Sequence, residues 1–142
     1  MLVHMNGLSL QQRYSQAVRD GTGQSFAAIT EPEVALSGSI FSMPVIGRAP
    51  VLLTLRTASG IYDELTFTVA TEAPRRAYLE WTARALGLDI DGVTVLTAGP
   101  GGTFTSIALH HRPLAAVLAF SRELGRRLSG LIEPGHFDLA SD

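Results

Sequence analysis

The chain contains no cysteine. That single absence excludes disulfide frameworks, thiolate metal sites, cysteine nucleophiles and iron–sulfur chemistry. Charge is scarce and balanced: 13 acidic residues face 11 basic ones, 17% of the chain is charged, and the pI is about 6.0. A nucleic-acid partner requires an electropositive footprint, so none is expected. Arg75-Arg76 and Arg126-Arg127 read as solvated pairs, one in a turn and one on a helix. No apolar run reaches membrane-spanning length, and Met1-Leu-Val-His-Met-Asn-Gly lacks the basic-then-apolar plan of a signal peptide. The expectation is a soluble cytoplasmic protein with no membrane partner. Four scattered histidines without Asp or Glu at ligand spacing predict no metal site. Gly99-Pro-Gly-Gly102 lacks the Lys-Ser/Thr and the following helix of a phosphate loop, and no Gly-x-Ser-x-Gly elbow occurs. No cofactor is expected.

What is present suits one domain over residues 1–142, with a core at about 8–131 and a tail at 132–142. At 142 residues and 46% hydrophobic content the chain can bury a substantial core. Ser9-Leu-Gln-Gln12 fits a capping box, opening a helix with Leu10, Tyr14, Ala17 and Val18 on one stripe and Gly21-Thr-Gly23 at its end. Ser25 to Ile29 predicts a short second helix, and Val34 to Phe41 has strand composition. Gly47-Arg-Ala-Pro50 opens a third helix, whose buried side is Leu52, Leu53 and Leu55 to Ala58. The period then changes to two. Leu65, Phe67 and Val69 mark one strand, and Leu79, Trp81 and Ala83 the next. Leu114, Val117, Leu118, Ser121, Leu124, Leu128 and Leu131 make an amphipathic closing helix. The tail from Glu133, with Pro134-Gly135, reads as loosely ordered. Helices first, then a curved antiparallel sheet, then a helix: the fold class is α+β.

Between the second strand and the closing helix lies a hairpin, Leu88 to Thr97 and Thr103 to His111, around Gly99-Pro-Gly-Gly102. A turn centred on Pro100 pairs Val93 with Ile107 and Asp91 with Leu109. Side chains alternate faces, so Asp91, Val93 and Val95 share a face with Thr105, Ile107, Leu109 and His111. The apolar members direct that face inward. Asp91 and His111 then lie diagonally, about 7–8 Å apart in the backbone. A carboxylate beside an imidazole in an apolar pocket can fix its tautomer and support acid–base work. Trp81 would supply a flat wall for a ring-shaped or hydrocarbon ligand. A one-residue slip would reverse the arrangement.

This order of elements, with Ile90-Asp91-Gly92-Val-Thr-Val-Leu, a glycine turn and a strand ending in His111-Arg-Pro, resembles the nuclear-transport-factor-2-like superfamily and, within it, the SnoaL-like group. The resemblance runs from about Leu8 to Leu128. It implies a conical, strongly curved antiparallel sheet around a pocket that N-terminal helices close, a C-terminal helix, and often a homodimer built through the sheet. The outer face expected for such a dimer carries Thr66, Thr68, Thr94, Ser106 and Ala108. Gln12-Arg13-Tyr14 and Ile90-Asp91 are similar to the two oxyanion-donor motifs of ketosteroid isomerases, the second a carboxyl kept neutral by its site. The position of those enzymes' basic aspartate falls at Ser37, whose hydroxyl cannot replace a carboxylate base.

Two functions follow. One is a cofactor-free isomerase, cyclase or dehydratase with Tyr14, Asp91 and His111 as catalytic residues and Ser37, Trp81, Val93, Ile107 and Leu109 around a small hydrophobic ligand. The other is a non-catalytic binding or accessory protein whose pocket is filled or inert. The Tyr-Asp-His grouping favours the first, and the absent first-strand carboxylate the second.

Overall fold

The computed structural model describes residues 9–138. Leu8, where the resemblance begins, and positions 139–142 of the expected tail lie outside the described residues. Helix α1 (Leu10–Asp20) starts at the expected capping box: Ser9 Oγ accepts from the Gln12 backbone N–H, and the Ser9 N–H donates to the Gln12 side chain. Gly21 ends it. The second helix, α2 (Gly23–Ala27), starts before Ser25 because Thr22 caps it. Then come β1 (Thr30–Gly38), β2 (Val45–Ile46), α3 (Arg48–Ser59), β3 (Tyr62–Ala73), β4 (Arg76–Ala85), β5 (Leu88–Ala98), β6 (Phe104–Arg112) and α4 (Leu114–Arg127).

One six-stranded sheet holds all the strands, in the order β2-β1-β6-β5-β4-β3. Every pairing is antiparallel except β1 with β6, and the expected α+β class with a curved, mostly antiparallel sheet is what forms. Strand β4 sorts its faces by strict alternation. Ala77, Leu79, Trp81, Ala83 and Ala85 are buried, while Arg76, Tyr78, Glu80, Thr82 and Arg84 face out. The inward set joins Tyr14, Phe26, Leu55, Phe120 and Leu124 from the four helices in a single core. Among the described residues no helix lies on the outer sheet face.

Two local expectations are corrected, and one expected strand is placed at the sheet edge. Leu53 is exposed, and the buried side of α3 is instead Val51, Leu52, Thr54, Leu55 and Ala58. Leu65, Phe67 and Val69 are each more than 40% exposed, because β3 is an edge strand with a neighbour on one side only. The segment after Glu133 is not loose as far as Asp138. Phe137 is buried with its ring 6.0 Å from that of Phe41, and the Asp138 N–H donates to Ser121 Oγ at 2.9 Å. A buried aromatic ring outweighs the turn signal of Pro134-Gly135. No helix among the described residues is long and apolar enough to cross a membrane.

Candidate functional site

Helices α1 and α3 stand over the inner face of the sheet and leave between them a cavity of about 520 Å³. Leu55, Leu65, Phe67, Trp81 and Leu109 form its apolar wall. Hydroxyl residues line it as well: Tyr14 and Ser15 from α1, Ser59 from α3, Tyr62 from the start of β3 and Thr94 from β5. Tyr14 and Thr94 are buried, yet neither hydroxyl bonds to another described residue. Burial pushes both phenols well above the ordinary tyrosine range, so they are neutral donors at any physiological pH.

Behind Tyr62 lies His111, 7% exposed. Its imidazole lies nearly parallel to the Tyr62 ring, at 8° with centroids 5.8 Å apart, and meets Trp81 edge-on at 4.9 Å and Phe120 at 5.1 Å. Tyr62 Oη and His111 Nε2 share a hydrogen bond, while Nδ1 is buried without a partner. Burial pushes the imidazole down to about 4, so the ring is uncharged at neutral pH. The strand end carrying it is clamped: the His111 N–H donates to Ser39 Oγ at 2.7 Å, and the Ser39 N–H donates to Leu109 O at 3.1 Å.

The expected Asp91–His111 pair does not form. In the observed register Gly92 pairs with His111, and Asp91 pairs with Arg112. Asp91 therefore points to the outer face, where Arg112 Nε donates to its carboxylate. The turn is wider than a loop centred on Pro100, and β5–β6 carries a register shift between Thr97 and Ala98. Widening alone would have left Asp91 and His111 on one face. The extra residue of the bulge, Thr105 on β6, shifts the pairing by one, so His111 comes to face Gly92 and Asp91 is left on the opposite face. Its physical cause is that Phe104 and Ile107, three positions apart, are both fully buried, which regular alternation cannot satisfy.

The same inversion moves other expected residues. Val93 pairs with His110 on the outer face, beside Asp91, Glu80 and Tyr78 in a shallow depression of about 480 Å³. Thr94, expected outside, faces the cavity. Ser37 pairs with Ala108 and shares its outward face. The inward position at that strand end is Gly38. Ile107 does face inward, but it is fully buried in the core and does not reach the cavity. Tyr14, Trp81 and Leu109 do line it.

Tyr62, Thr94, Phe67, Arg19 and Arg56 were not legible as site residues. Tyr62 and Phe67 reach the inner face together only because β3 bulges between Asp63 and Thr66, with Glu64 at φ 55°. The clearest signal available was the partner of Phe67 across the ladder, which is Trp81.

No family model matches the chain, and no curated protein matches its sequence. Solved structures do match in shape. A steroid delta-isomerase from Pseudomonas aeruginosa superposes with a TM-score of 0.78 over 92% of this chain and 96% of that one, at 17% identity. A bacterial protein with a cystatin-like fold from Silicibacter pomeroyi DSS-3 gives 0.75 over 84% of each chain at 21% identity. A protein from Jannaschia sp. CCS1, named after SnoaL-like polyketide cyclases, gives 0.61 over 79% of this chain and 91% of that one at 14% identity. Likeness at these identities carries the fold and no chemistry. The chain has the nuclear-transport-factor-2-like fold that SnoaL-like and ketosteroid-isomerase-like structures share.

Proposed function

We propose that this protein binds a small, mostly hydrophobic molecule carrying a carbonyl or hydroxyl group in the cavity between α1, α3 and the sheet. The observation that carries this reading is the lining of the cavity: Leu55, Leu65, Phe67, Trp81 and Leu109 wall it, and the Tyr14 and Thr94 hydroxyls reach it without bonding to other described residues. Hydroxyls free of protein partners beside an apolar wall are placed to take up a ligand oxygen. Trp81 is the only tryptophan, so its emission reports occupancy directly. Titration with cyclic ketones and phenols is expected to shift that emission. Tyr14→Phe and Thr94→Val should each weaken binding about 5- to 10-fold, the value of one hydrogen bond. Binding that both variants leave untouched would remove the cavity as the site.

A second reading is favoured by the Tyr62–His111 hydrogen bond: proton transfer of the isomerase, cyclase or dehydratase kind. Tyr62 would donate to a developing oxyanion, with His111 behind it exchanging the proton. Among the described residues no carboxylate lines the cavity, and an imidazole held near 4 is a weak base. The arrangement is better suited to polarising a carbonyl than to removing a carbon-bound proton. Binding is therefore the function the geometry supports best.

The proposal includes a homodimer through the outer sheet face. Val93, Val95 and Ala108 are half-buried there, Tyr78 is 36% exposed, and no helix of the described residues covers them. Sedimentation at rising concentration should show a dimer that dissociates when Val95→Glu places a charge in its centre. A monomer at all concentrations would exclude it.

A further inference from the structure

We infer that the ligand is an amphipathic organic acid, its carboxylate received by Arg19 and Arg56 at the cavity mouth and its hydrocarbon body laid against Trp81 and Leu109. This rests on the ligand-binding reading above and adds the charge that the ligand must carry. The chain has no lysine, so all 11 of its basic residues are arginine. Arg84, Arg112, Arg122, Arg126 and Arg127 are paired with carboxylates. Arg13 and Arg48 donate to backbone carbonyls. Among the described residues four arginines make neither kind of contact, and two of these, Arg19 and Arg56, line the mouth of this one cavity. The other two, Arg75 and Arg76, lie at the β3–β4 turn.

The two guanidinium groups are placed by the folding of the helices that carry them. Each sits in the last turn of its helix, where the carbonyl end of the macrodipole favours a cation. Arg56 also lies over Gly21: a methyl group built there would come within 2.9 Å of its Nε. Glycine at that C-cap thus leaves room for the guanidinium at the edge of the cavity. Among the described residues no Asp or Glu lines the cavity to neutralise the pair. Two positive charges beside low-dielectric walls attract an anion and repel a cation. The planar fork of arginine matches a carboxylate in particular. Tyr14, Tyr62 and Thr94 then remain as neutral donors or acceptors for a second oxygen on the ligand body.

The test compares decanoate and 4-phenylbutyrate with their methyl esters, using Trp81 emission and thermal shift on the wild type and on Arg19→Gln/Arg56→Gln. The acids should bind about 10-fold more tightly than the esters at low salt, and the double variant should lose that preference while keeping ester affinity. Rising ionic strength should weaken the acids only. Esters that bind as well as acids, or a preference that survives in the double variant, would overturn the inference and leave the cavity reading intact. If neither acids nor esters bind, both fall together.

Discussion

Gly38→Ala is expected to destabilise the protein by about 4 kcal/mol, the sum of a strained backbone and an overpacked contact. Gly38 has φ 138°, outside the range of residues with a side chain. A Cβ at this position would lie 1.8 Å from Leu109 O and 2.6 Å from Leu109 C. Both are backbone atoms of the neighbouring strand, so no side chain can rotate away. For a domain of this size the melting temperature should fall on the order of 10 °C. The effect reaches the cavity, because Ser39, the next residue, clamps the His111 backbone and Leu109 lines the wall. Urea denaturation with Trp81 emission measures it. A variant within about 1 kcal/mol of the wild type would mean that β1 and β6 separate more easily than their contact implies. The same contact closes the inner end of β1 to any side chain, which bars a carboxylate base of the isomerase kind from that position.

Stability should also fall by about 2 kcal/mol between pH 7 and pH 5 through His111 alone. The imidazole moves from an ordinary value of 6.5 to about 4 because it is buried among Tyr62, Trp81 and Phe120. In that window the unfolded chain binds a proton that the folded chain refuses. The stabilisation is therefore complete above 6.5, declines as the pH drops, and is exhausted below about 4. Glu123 acts elsewhere: Arg126 and Arg127 hold its carboxyl down to about 2, so its contribution is lost only below its ordinary 4.5. Denaturation curves at pH 7 and pH 5 for the wild type and for His111→Phe measure the difference. The variant keeps an aromatic ring in place and should show a slope flatter by that amount. Equal slopes would mean that His111 reaches solvent in the folded state.

Much of the fold was legible because its signals are local. Ser9 and Gln12 close a cap within one helical turn, Gly21 ends the helix, and Leu79-x-Trp81-x-Ala83 alternates without interruption along β4. Each outcome depends on a few consecutive residues, so the local pattern and the tertiary structure agree. Trp81, Tyr14 and Leu109 line the cavity for the same reason: regular alternation or a helix stripe points each of them inward.

The sequence by itself determined the α+β class, the order and type of every element except the short strand β2, the absence of cysteine chemistry, and the inward faces of α1, β4 and most of β6. Only the tertiary structure decided which side chains meet. A face is a matter of parity, and each single-residue bulge reverses it for the rest of the strand. Those bulges form where the core requires burial that alternation cannot provide, as it does at Phe104 and Ile107. Thus Asp91 went to Arg112 on the outer face, Thr94 and Tyr62 came to the cavity, and His111 found a phenol where a carboxylate was expected.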